Sequence, residues 1–167
     1  MSYFGVMACC SRSGVIGCKG RIPWNYPREL TEFRTRTKGK VRIMGYYTYF
    51  SMPEHALANR INIVFSRVHK QEKPNCPAQF VSSWEEFTQL KLSSGCMIGG
   101  GQIANLFLEK NALQCIYLTR IAREFPGDAF FPLHLIEHWS AQIVSSTSEY
   151  KIYKYENPSY PHSSRSS

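Results

Sequence analysis

Short, largely apolar runs constrain this chain more than any other feature: YFGVMACC at 3–10 and CMIG at 96–99, with VRIMG at 41–45 and INIVF at 61–65 broken only by Arg42 and Asn62. A strand with one wet face alternates apolar and polar residues, whereas a strand covered on both faces reads as a continuous apolar run. Segments of helical character lie between these runs. Pro27 can open a helix, because its missing N–H costs nothing in the first turn, and the pattern continues through ELTEFRTRT to the stop signal KGK. Leu30, Phe33 and Thr37 recur on one face of that helix. YYTYFS is a further short helical piece, PEHALANR reads as a loop, and Ser83 with Glu86 three residues on has capping-box spacing. CMIGGGQIANLFLEK reads as strand, glycine turn and helix, and QCIYLTRIAREF as another strand. AQIVSSTSEYKIYKYE carries two alternating runs, the pattern of an antiparallel hairpin. The fold class predicted is α/β, a single domain with a mainly parallel central sheet, flanking helices and a C-terminal antiparallel hairpin.

A chain of 167 residues supplies one well-filled core. The domain is placed at 1–157, and 158–167 reads as a polar, flexible tail. No apolar run reaches the roughly 20 residues of a membrane span. MSYFGVMACC has neither a basic leader nor a small-residue cleavage site, so it reads as a first strand of a cytoplasmic protein. The six cysteines form no CxxC pair and read as reduced structural thiols, with no metal site expected.

The net charge of +8 suggests anionic partners. Lys19, Arg21, Arg28, Arg34, Arg36, Lys38, Lys40 and Arg42 crowd the first quarter, which suits a basic face around one cleft or a nucleic-acid stripe. No zinc finger, RNP aromatic signature or GXXG clamp accompanies them, so no nucleic-acid partner is expected.

Ligands of parallel α/β sheets bind at the carboxyl ends of the strands. Three loops fall there. IGGGQ at 98–102 puts glycines between a strand and a helix, where backbone N–H groups can approach a pyrophosphate; the same pattern also serves as a plain turn, and it lacks GxGxxG spacing. FSR at 65–67 ends a strand with a hydroxyl and a guanidinium suited to a phosphate monoester, or to water. Thr48 stands near a helix start, as an ordinary cap or as an N–H donor to an anion. Glu29 occupies a first helical turn, where the dipole favours a negative charge. It is either a solvated surface charge or an acid held by the stiff apolar surround of Pro23, Trp24 and Pro27, poised for a planar two-donor partner.

VIGCKGRIPW, PRELTEFR, KVRIMGYYTYFSM, RINIVFSR, MIGGGQI and YLTRIAREFPGDAFFP, in this order from Tyr3 to Tyr155, resemble the signature segments of dihydrofolate reductases. The resemblance implies reduction of 7,8-dihydrofolate to tetrahydrofolate with NADPH. Glu29, Trp24 and Thr119 match the family's catalytic positions, Glu29 pairing with the pterin edge and promoting N5 protonation. Met7, Ala8, Ile22, Leu30, Phe33, Met52, Leu57 and Ile98 would line the pterin and aminobenzoate pocket, and Arg60 would take the α-carboxylate of the glutamate tail. Cys9, Ile16, Gly17 and Ile22 would meet the nicotinamide end. Thr48, Gly99, Gly100, Gly101 and Gln102 would take the pyrophosphate, Ser66 with Arg67 would hold the 2′-phosphate, and Gly45, Tyr46, Tyr47, Ile98 and Ile103 would complete the cofactor-binding set. Tyr46 replaces a basic residue common in the family, Gln102 stands where a base is sometimes found, and Ala104 replaces aromatic bulk, enlarging the space beside the nicotinamide. The resemblance also implies a monomer that binds dihydrofolate and antifolate-like small molecules. A pyrimidine reductase of riboflavin synthesis, sharing fold and cofactor, is the alternative; WNYPRE and Arg60 argue against it. A basic nucleic-acid-binding module is the alternative from another class.

Overall fold

The computed structural model describes residues 2–58 and 60–161. The first apolar run forms β1 (Ser2–Cys10), followed by the short β2 (Val15–Gly17). Pro27 opens α1 (Pro27–Thr37) as its spacing predicts. Next come β3 (Arg42–Gly45), α2 (Tyr46–Ser51), α3 (Glu54–Leu57), β4 (Asn62–Phe65), β5 (Ala78–Val81) and α4 (Trp84–Gln89). The chain continues with β6 (Ser94–Gly99), α5 (Gly101–Glu109), β7 (Leu113–Ile121), β8 (Ala129–Phe130) and the hairpin β9 (Ser140–Ser146) and β10 (Tyr150–Glu156).

Eight strands form one sheet in the order β5-β4-β3-β6-β1-β7-β10-β9, parallel from β5 to β7, with β10 antiparallel to β7 and to β9. The predicted architecture is thus the one observed. Alternate residues feed two cores. Tyr3, Met7 and Cys9 of β1 join Ile43, Ile63, Met97, Ile116 and Leu118 under Phe87 of α4 and Phe107 of α5. Val6, Met44, Val64, Cys96 and Ile98 meet Tyr49, Ala56 and Leu57 of α2 and α3 on the opposite face, where Phe33 of α1 also packs. Coverage on both faces is the reason the strands read as largely apolar runs without polar alternation.

Ser83 caps α4 by accepting from the Glu86 N–H at 3.1 Å. The Glu86 carboxylate turns back to the N–H and hydroxyl of Ser82 rather than to Ser83, so the reciprocal half of the box is shifted by one residue. Two elements depart from expectation. Residues 54–57, expected as loop, form the single-turn α3 after Pro53, and the loop 11–27 contains β2, which pairs with β8. Both are too short for periodicity to reveal.

All six cysteines are free, and five are buried. Burial pushes the Cys9 and Cys96 thiols up to about 12, which suits packing rather than chemistry. Beyond Asn157, the Ser159 N–H donates to Asn157 Oδ1 and Asn111 donates to the Ser159 carbonyl, both at 2.9 Å. The rest of the expected tail, 162–167, lies outside the described residues. No helix among the described residues is long and apolar enough to cross a membrane.

Candidate active site

Glu29 sits in the first turn of α1, where α1 faces β1 and β7. With Met7, Phe33 and Thr119 it lines a narrow cavity completed by Val6, Arg36, Tyr117 and Ile152. Burial, reinforced by the charge of Glu32, raises its carboxyl to about 7. Glu29 is half-buried, and these surroundings suit an acid held against apolar side chains better than an open surface charge. Their source differs from expectation: the apolar contacts come from Val6, Met7, Phe33 and Ile152 of the sheet and helix, not from Pro23 and Pro27. The enclosed space is about 10 Å³, at the lower limit for one water molecule. A bicyclic ring needs more, so a ligand entering here must displace lining side chains.

Trp24 stands one layer back. Together with Tyr26 and Phe125 it packs on Ile121, Tyr150 and Ile152, the last of which reaches the cavity. Ala8 pairs with Thr119 across β1 and β7, which places it beside the cavity. Met52 and Ile98 are 9% and 7% exposed in the core behind Phe33, and Leu57 has no exposed surface, so in this conformation Leu57 supports the pocket wall without lining it. Leu30 is half-buried on α1, and Ile22 lies exposed in the loop before it.

Arg60 is elsewhere. It borders an open groove of about 510 Å³ with Lys38, Gly39, His55 and Ala58, between the end of α1 and α3. Its Nη1 donates to the Thr37 carbonyl at 3.1 Å. Part of the basic first quarter gathers here, but Arg42 does not. It is wholly buried, donating to the Ala56 carbonyl and to Thr37 Oγ1, and burial together with the nearby Arg60 charge lowers its pKa to about 10. Arg42 is removed from the candidate anion-binding surface.

The second half of the site lies where β3 and β6 end side by side, Met44 opposite Gly99. Gly45 precedes α2 and Gly100 precedes α5, and neither helix start carries a side-chain cap. Two sets of first-turn N–H groups are left for an anion. Gly99 has φ +111°, and a Cβ there would lie 2.8 Å from Met7 Cε; a Cβ on Gly100 would lie 3.3 Å from Thr48 Oγ1. Only glycine lets the backbone come this close at Gly99. Thr48 sits in the first turn of α2 and is not its cap. Ile16 approaches both Gly100 and Gly101, while Gly17 accepts from the Asp128 N–H at 3.0 Å, tying β2 to β8. Gln102 is exposed on α5 and Ile103 packs against Gly45.

One strand further out, Ser66 is half-buried and Arg67 exposed just past β4. Tyr47 is 81% exposed, and Tyr46 stacks on His69 at 4.6 Å with 19° between the rings. This donor set fits a phosphorylated dinucleotide: N–H groups for a pyrophosphate, and a hydroxyl with a guanidinium for a terminal phosphate. Two expectations fail at the nicotinamide end. Ala104 is fully buried in the core beneath α5 and enlarges no open space, and Cys9 has no exposed surface.

Tyr117, Val6 and Ile152 were not singled out from sequence, and Arg36 only as one of the clustered basic residues. Arg36 lies two turns from Glu29 and Tyr117 two residues before Thr119, so the periods of helix and strand could have found both. Ile152 reaches the cavity only through the pairing of β10 with β7, for which no local signal exists.

Fold and site together define an α/β protein in which two uncapped helix starts after parallel strands lie near a cavity that holds an acid. A family model described as dihydrofolate reductase matches residues 4–160. The chain is similar to the dihydrofolate reductase of Haemophilus influenzae, 32% identical over 147 residues, covering 84% of this chain and 85% of the relative. It is 33% identical over 165 residues to that of Mycobacterium tuberculosis, covering 93% and 98%, and 30% identical over 149 residues to that of Aedes albopictus, covering 79% and 80%. The chain belongs to the dihydrofolate reductase family. It is thus an oxidoreductase that uses a nicotinamide cofactor, and the pyrimidine-reductase alternative is not favoured.

Proposed function

We propose that the chain reduces 7,8-dihydrofolate to 5,6,7,8-tetrahydrofolate, supplying one-carbon metabolism, and that its cofactor is NADPH. The observation that carries this reading is Glu29, the one carboxyl lining a cavity shared with Thr119 of β7 and with Met7 of β1, whose side chain also meets the Gly99 turn.

A carboxylate in such a place is stabilised most by a planar, charge-assisted partner with two donors. The pterin edge, with N3–H and the 2-amino group, offers that geometry. Because burial already holds the Glu29 carboxyl at about 7, its proton is available near neutral pH, and the ionised acid beside the ring favours a proton on N5. Water is the immediate donor of that proton. The Thr119 hydroxyl, in the same cavity, orients the carboxyl and the ring edge. Phe33 and Met7 exclude bulk water from the reacting face, and Arg60 in the open groove takes the carboxylate of the glutamate tail.

The reduced nicotinamide, when bound, supplies the hydride for C6. The first-turn N–H groups of α2 and α5 hold its pyrophosphate, Thr48 lying between them, and Ser66 with Arg67 holds the 2′-phosphate. Loss of reduced-nicotinamide absorbance on mixing the chain with dihydrofolate and NADPH tests the reading. No turnover with that pair overturns it.

A further inference from the structure

A second carboxyl stands beside the first. Glu32 follows Glu29 by three residues in α1, a spacing that puts two side chains on one helix face with Cβ atoms about 5–6 Å apart. It is held by groups on two elements. Tyr150 of β10, only 1% exposed, donates its hydroxyl to Glu32 Oε2 at 2.5 Å, and Arg36 Nη1 stands 3.8 Å from Oε1. The Glu32 side chain is 23% exposed. A glutamate on an open helix face turns to water; this one is tethered to a buried phenol against the sheet.

The other polar and charged groups around the pair are few. Arg28 and Arg36 on α1 oppose the negative charge, β7 contributes Tyr117 and Thr119, and β10 contributes Tyr150 and Lys154, whose ammonium lies 5.7 Å from the Tyr117 ring. The coupling is visible from both ends. Burial and then the Glu32 charge raise Glu29, while burial and then the bond to Glu32 push the Tyr150 hydroxyl up to about 12.

We propose that Glu32, tethered by Tyr150, is a positioning residue for the reduction: a fixed negative charge one turn along α1 that keeps the site, Glu29 together with the pterin ring, singly protonated to higher pH. The proposal rests on the function given above, since each reduction consumes one proton at the ring. A nearby negative charge disfavours ionisation of a carboxyl, so removing the charge of Glu32 must move the titration of Glu29.

The test is a carbon-13 NMR titration of the Glu29 carboxyl in the ligand-free protein, its signal assigned by disappearance in Glu29→Gln. Glu32→Gln removes the charge and keeps an acceptor for Tyr150. Its Glu29 midpoint should fall by about one pH unit, a tenfold change in proton affinity. The alkaline limb of kcat/KM for dihydrofolate with NADPH should move down by the same amount. Tyr150→Phe, which frees Glu32 to swing toward water, should give a smaller fall in the same direction. If that variant does not fold, the partly exposed and isosteric Glu32→Gln decides alone. A Glu29 midpoint that stays in place or rises in Glu32→Gln overturns the proposal. Absence of turnover by the unmodified chain overturns the function instead, and the ligand-free titration separates the two failures.

Discussion

Glu29 is the residue on which the proposed chemistry turns, because it is the acid in the cavity of Met7, Phe33 and Thr119. Glu29→Gln keeps the shape and removes the charge that pairs with a protonated ring. Turnover at neutral pH should fall by at least roughly 100-fold, the lower end of general acid–base effects, and near-normal turnover removes Glu29 from the mechanism. Arg60 carries a different signature. Arg60→Lys loses the planar fork, so KM for dihydrofolate should rise while kcat and NADPH affinity change little. Since Arg60 also holds the Thr37 carbonyl, a melting curve of the variant must accompany the kinetics; equal weakening of both ligands indicates damage to the end of α1. In the proposed reading Arg67 governs cofactor choice. Tyr46 stands where another cation is common and Arg42 is buried, so the preference for NADPH over NADH should rest on Arg67. A charge-assisted bond contributes about 1.5–3 kcal/mol, roughly 10- to 150-fold in kcat/KM. Arg67→Ala should erase most of that preference and leave activity with NADH intact; a parent-like preference in the variant places the phosphate elsewhere.

Among the elements, α4 and α5 begin in contrasting ways, and the contrast can be tested. The start of α4 is satisfied by its own Ser83, whereas the start of α5 carries no side-chain cap. Ser83→Ala should cost about 1 kcal/mol, a loss of roughly 2–4 °C in a domain of this size, with kinetic constants unchanged. Gly99→Ala meets φ +111° and the Met7 side chain at once. Backbone strain of this kind costs about 1–3 kcal/mol, and here it should also weaken NADPH binding, measured by titration calorimetry. A Gly99→Ala protein that binds NADPH like the parent would show that the turn does not touch the cofactor. These elements also show how far local sequence reaches. Ser83 with Glu86, Pro27 before an amphipathic run, and the glycines after CMI mark their helix starts by local chemistry. The turn of α3 and the pairing of β2 with β8 have no such marker, being too short for a period and stabilised by contacts made only in the folded chain.

At the scale of the molecule, the buried acid couples stability to pH. A carboxyl raised by burial favours the folded state in its protonated form. Its contribution is therefore complete below the unfolded value, near 4.5, and is lost as pH rises through about 7. Integrated over that interval the loss is on the order of 3 kcal/mol at most, several degrees in melting temperature. Ligand-free Glu29→Gln should melt close to the parent at pH 4 and above it at pH 8. A difference that does not change with pH means that the acid is solvated.

The sequence by itself determined the parallel α/β class, the hairpin at its end, the helix that carries Glu29 and the glycine turn that precedes α5. These follow from periods of 2 and 3.6 residues and from turn chemistry, which act within a few residues of one another. Tertiary structure decided that β6 inserts between β1 and β3, bringing Gly99 beside Met44, and that β10 lies against β7, bringing Ile152 to the cavity and Tyr150 to Glu32. It also buried Arg42 and closed Ala104 and Cys9 into the core. The surroundings of each side chain depend on which strands adjoin. That choice is made by burying both faces of the whole sheet at once, a sum over distant residues to which no local pattern corresponds.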